Sequence, residues 1–71
     1  MRRTLAANIR YHRERLGLSQ SGLGELCDMT QRRIWELESP TGKSPTVSTL
    51  TIVAAQLGVT EAELLTPRRS A

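Results

Sequence analysis

The sequence predicts an all-α protein, a compact five-helix bundle. Three observations lead there. Apolar residues recur at helical spacing and nowhere alternate as a strand would. Ser or Thr opens segment after segment, and glycine closes several of them. With 71 residues, 38% of them hydrophobic, and no Phe, the core must come from Leu, Ile, Val and Ala. So thin a supply suits a small helical bundle, near the lower limit for folding alone.

Thr4 is expected to cap a first helix over 5–16, with Leu5, Ile9 and Leu16 on one apolar face and Gly17 as the stop. Ser19 caps a second over 20–27, which buries Leu23 and Cys27 with Leu26 beside them. Two glycines inside it each cost about 1 kcal/mol against Ala. Gly24 makes sense if another helix crosses closely there, whereas Gly22 has no reason visible in sequence. Asp28 and Met29 form a turn, and Thr30 caps a third helix over 31–38. Residues 39–46, SPTGKSPT, are a polar loop broken by Pro40, Gly42 and Pro45. Val47 to Leu57 follows as a fourth helix, with Val47, Leu50, Val53, Ala54 and Leu57 inward and Gly58 as its end. Thr60 caps a last short helix, with Glu63 completing a capping box and Leu64 and Leu65 facing inward. One domain, 1–66, is expected, followed by a short, frayed basic tail, 67–71.

Charge narrows the function. The net charge is +3, and residues 1–16 carry five arginines against one glutamate. Positive charge also opens the third helix and lies near the chain ends, as a phosphate-tracking surface requires. One His and one Cys cannot supply a metal site at the usual spacings, and no nucleophile triad or phosphate loop is present, so an enzyme and a cofactor are not expected. The single Cys27 forms no internal disulfide, and no stretch has the length of a signal peptide or membrane span, which points to the cytoplasm.

On a wheel of the third helix, Ile34 and Leu37 point to the core with Glu38 beside them. Arg32 and Glu36 point the other way, Gln31 sits at the N-terminal tip, and Arg33 and Trp35 flank the outward face. Gln, Arg and Glu suit the edges of adenine, guanine and cytosine in the major groove. The tight turn between helices two and three makes the pair a candidate helix-turn-helix.

From about Leu5 to Leu65 the chain resembles the Xre/Cro-type domain of phage repressors and related bacterial regulators. The resemblance rests on IRYHRERLGLSQSGL, on MTQRRIWELE and on SPTVSTLTIVAAQLGVTEAELL. It implies a lambdoid-repressor-type DNA-binding fold, helix three as the recognition helix, and operator binding as a homodimer. Base reading then falls on Gln31, Arg32 and Glu36, with Arg33 adding a base or phosphate contact. Gln20, opening helix two, would bond a backbone phosphate, and Ser39, Lys43 and Ser44 match a loop lying along the phosphates. Arg10 and the helix starts at Ser19 and Thr30 would add to that set. Arg13 and Glu38 fall where the family often places a largely buried ion pair.

Departures from the family pattern carry their own expectations. Asp28 stands where glycine is usual and must take a left-handed backbone or shift the turn. His12, in place of leucine, is expected half-exposed at the core edge, and Glu36 repels phosphates unless a cytosine, Arg32 or Arg33 meets it. Trp35 could touch a thymine methyl, pack against a facing subunit, or cover the end of helix one; packing is the favoured reading. The resulting picture is an autoregulatory repressor that binds a double-stranded, pseudo-palindromic operator, dimerising through helices four and five. The alternative is an antitoxin or restriction–modification controller whose fold also meets a protein partner, a toxin or RNA polymerase.

Overall fold

In the computed structural model, residues 2–68 are described, and among them five helices and no strands occur: α1 (Arg2–Arg15), α2 (Gln20–Cys27), α3 (Gln31–Leu37), α4 (Val47–Leu57) and α5 (Glu61–Leu65). The all-α prediction stands. Ile9, Leu23, Ile34, Leu37, Val53, Leu57 and Leu64, drawn from all five helices, are almost wholly sealed from solvent. α2 and α3 pack on each other, while α1 and α4 hold α5.

The caps are chemical and local. Ser19 Oγ accepts from Gly22 N at 2.9 Å, Thr30 Oγ1 from Arg33 N at 3.0 Å, and Thr46 Oγ1 from Thr49 N at 3.2 Å. Thr60 and Glu63 form the full capping box. At the other ends, α1, α2 and α4 are each followed by a left-handed residue: Gly17 (φ 71°), Asp28 (φ 56°) and Gly58 (φ 74°). Met29 N–H then reaches back to Gly24 O at 2.7 Å, closing α2 and starting the turn into α3. Asp28 therefore accepts the left-handed backbone and the turn is not shifted; its short polar side chain tolerates this better than most.

Several expectations are corrected. α1 already includes Arg2, so Thr4 lies inside the helix and does not cap it. Leu16 falls beyond the end of α1 and is half-exposed; Leu18 packs on the core instead. Leu26 is also half-exposed, on the solvent side of α2. Val47, at 77% exposure, is the first residue after the Thr46 cap and overhangs the end of α4 with nothing above it to pack on. α3 stops at Leu37, with Glu38 as its C-cap. What crowds Gly24 is not another helix: a Cβ there would meet Met29 O, the backbone of the adjoining turn, at 2.6 Å. At Gly22 the nearest atom is the capping Ser19 Oγ, at 3.2 Å.

His12 is buried at 7% exposure, not half-exposed. Burial pushes its pKa down, and the cations of Arg15 and Arg68 add to this, while Glu63 opposes it. Cys27 is buried too, which raises the thiol pKa and keeps it a packing residue.

The C-terminal end is tied down by a residue that periodicity did not single out. Asn8, fully buried on α1, donates to Glu63 O (3.2 Å), Leu64 O (2.9 Å) and Thr66 O (2.8 Å). Its own Oδ1 accepts from Arg68 Nε at 3.1 Å, and the Arg68 guanidinium lies over the Tyr11 ring at 3.7 Å. The basic tail is thus held at Arg68; its remainder, 69–71, lies outside the described residues.

Candidate nucleic-acid interface

The site begins at a buried carboxylate. Glu38, at the C-terminal end of α3, receives Arg13 of α1 through two bonds, Nε to Oε2 at 2.5 Å and Nη2 to Oε1 at 3.0 Å. Both side chains are nearly sealed, at 11% and 5% exposure, and the bidentate geometry offsets much of the cost of removing two charges from water. The hydrogen bond to Glu38 raises the Arg13 pKa further above its already high ordinary value. The third guanidinium donor, Nη1, reaches Leu18 O at 2.8 Å, so one arginine fixes the end of α1, the approach to α2 and the end of α3.

From Glu38 the bonding runs outward to the tip of α3. Gln20 Nε2 donates to Glu38 Oε1 at 3.2 Å, and Gln20 Oε1 accepts from Gln31 Nε2 at 2.7 Å. Gln31 is held from behind yet keeps its carbonyl oxygen and a second amide proton for a ligand. One donor and one acceptor side by side are what the adenine edge requires.

The remaining outward residues pair with one another. Arg32 is the most exposed, its side chain at 82%, with its Nε 4.0 Å from Glu36 Oε2. Arg33 Nη1 lies 3.6 Å from Glu36 Oε1. Glu36 therefore stands between two arginines, and its repulsion of a phosphate is largely neutralised. At this exposure each pair contributes little to stability.

The residues expected to meet phosphates are distributed around this helix. Arg10 is exposed and pairs with Glu14 at 3.2 Å, one turn away on α1. The hydroxyls of Ser19 and Thr30 accept from backbone amides as caps, which leaves their O–H protons for an external acceptor. Ser39 Oγ is 3.3 Å from Thr41 Oγ1 in the loop after α3. Lys43 and Ser44 are exposed, and Lys43 makes no ion pair among the described residues. Gln20, in contrast, is engaged at both ends of its amide, so one further N–H remains for a phosphate.

Trp35 is 56% exposed within the chain, so the packing expected of it is not made inside a single copy. It lines two grooves, one with Arg10, Arg13, Gln20, Glu38, Ser39 and Pro40, the other with Arg33, Glu36, Ser39, Thr41, Gly42 and Lys43. The wheel had put it at the margin of the helix, and its exposure could not be read from spacing. Among the described residues no cluster of His, Cys, Asp and Glu could hold a metal, and no helix is long and apolar enough to cross a membrane.

A family model described as helix-turn-helix matches residues 9–64, a span that holds α2, α3 and their turn. The chain belongs to the helix-turn-helix family. No curated protein matches it. Among solved structures it is similar to the clp gene regulator ClgR from C. glutamicum, with a TM-score of 0.80 and 28% identity; the match covers 90% of this chain and 82% of that one. With this family and this gene-regulator neighbour, the helix-turn-helix chain is a DNA-binding protein of the transcription-regulator class.

Proposed function

We propose that this helix-turn-helix protein is an autoregulatory repressor that binds a pseudo-palindromic operator as a homodimer, with α3 in the major groove. The observation that carries the reading is the bonded series Arg13–Glu38–Gln20–Gln31, which holds the tip of α3 rigid and leaves Arg32 fully offered beside it. A side chain fixed before binding loses less entropy on contact, and this favours reading bases over loose electrostatic attraction. Gln31, Arg32 and Glu36 read base edges, and Arg33 adds a base or phosphate contact. Arg10, Gln20, Lys43, Ser39, Ser44 and the helix starts at Ser19 and Thr30 set the register on phosphates. Two copies associate through α4 and α5, which places two recognition helices about 34 Å apart on successive major grooves. Exposed Ile52 on α4 supports that side as the interface. Bound at its own promoter, the dimer excludes RNA polymerase.

Footprinting on DNA flanking the gene, at two salt concentrations, tests this. A protected pseudo-palindrome with half-sites one turn apart is expected; sequence-blind protection that vanishes with salt would refute it. On the protected site, Arg32→Ala should cost about 1–3 kcal/mol and relax one position of each half-site, while Lys43→Ala weakens all sequences alike and flattens the salt dependence. Equal loss on specific and random DNA for Arg32→Ala removes it from the reading set.

A further inference from the structure

We propose that Trp35 is a contact to the DNA backbone: its indole lies along a deoxyribose and its Nε1–H donates to a phosphate oxygen. The proposal rests on α3 entering the major groove. Trp35 is the only tryptophan of the chain and is 56% exposed, although a large aromatic ring normally gains by burial. Its surroundings indicate what covers it. The ring forms the ridge between the two grooves, with Arg10 and Gln20 on one side and Arg33 and Lys43 on the other. Pro40 is the one other apolar side chain in the first groove, and the second has none.

A protein partner would be expected to find an apolar surround here, and a polyanion a cationic one. The cations decide for the polyanion. Arg13 is consumed by Glu38 inside the protein, whereas Arg10 and Arg33 hold only surface pairs with Glu14 and Glu36, and Lys43 makes no ion pair among the described residues. An indole nitrogen can only donate, so its natural counterpart is an acceptor without protons, such as a phosphodiester oxygen. The flat ring meanwhile covers the apolar sugar. Base edges fall to Gln31 and Arg32, one turn earlier on the helix. Trp35 thus positions α3 at its C-terminal half as Gln20 does at its N-terminal tip.

Because Trp35 is the only indole, its fluorescence reports on this residue alone. The full chain is titrated with a fluorescein-labelled random-sequence duplex at low salt, and with the duplex protected in footprinting. Anisotropy follows binding, and acrylamide quenching follows the access of solvent to Trp35. Quenching is expected to fall several-fold on both duplexes. Trp35→Phe, which keeps a ring and loses the donor, should weaken binding about fivefold, and Trp35→Ala about thirtyfold, by the same factors on both DNAs. Anisotropy rising with quenching unchanged would overturn the proposal and leave the DNA-binding reading intact. A loss confined to the protected sequence would make Trp35 a base reader and also overturn it. Failure of anisotropy to rise with either duplex refutes the DNA reading itself and the proposal with it. The wild-type quenching needs no variant, so a poorly folded Trp35→Ala cannot mask the result.

Discussion

α1 carries two buried polar anchors, one near its C-terminal end and one at its middle, and they differ in kind. Arg13 presents a full charge to the carboxylate of Glu38, and through Gln20 that contact extends to the surface at Gln31. Asn8 presents a neutral amide to three carbonyls at the end of α5, and the contact ends there, sealed by Arg68 and Tyr11. The first anchor aims a working helix; the second closes the bundle. A charged anchor is directional and bidentate, so it sets an angle. A neutral amide satisfies backbone groups left over at a short helix end and holds that end in place.

The comparison breaks most sharply at Arg13. Arg13→Met leaves Glu38 buried beside Gln20 alone, and a loss on the order of 3–5 kcal/mol is expected in urea unfolding. The double variant Arg13→Met with Glu38→Leu should recover part of that stability but not sequence discrimination, since Gln20 has lost its anchor. Recovery of both would mean that the ion pair does not aim α3. Asn8→Leu comes next, at about 1–3 kcal/mol, because three carbonyls lose a common donor. Its DNA affinity per folded molecule should stay at the wild-type level; a shifted affinity would show that the α5 anchor also reaches the interface.

Arg68→Ala is milder, at about 0.5–1 kcal/mol, the range of a surface cation over an aromatic ring. It should be read from the thermal midpoint. The smallest effect is a pH slope at His12. Its folded pKa lies below the ordinary 6.5, so the folded state binds fewer protons than the unfolded chain. Stability is then fully present above 6.5, falls as pH drops through it, and levels off below the folded pKa. Urea midpoints across this range should show the decline, and His12→Leu should flatten it. A midpoint rising with acid would contradict the burial.

How much of this was legible in the sequence depends on the range of the interaction. Caps at Ser19, Thr30 and Thr60, the glycine stops at 17 and 58 and the Glu63 box are settled within four residues, and these were read correctly. The outward set on α3 also followed from spacing alone, although its place on DNA stays a proposal. Leu16, Leu26 and Val47 were misplaced because periodicity gives a face and not what lies opposite it. Thr4 misled because a favourable capping residue is equally tolerated inside a helix whose flanking residues continue it. Asn8 was invisible: its partners lie more than fifty positions away, and three of its four bonds are to backbone, which carries no sequence signature.

The wiring of Gln31 has a consequence for retargeting the protein to new sites. Arg32, Arg33 and Glu36 pair with one another at the surface, so a library can vary them as a block. Gln31 cannot join that library alone, because its amide is seated on Gln20, and Gln20 on Glu38. Positions 20 and 31 form one letter of the code written in two residues, and an engineer must change both together or neither.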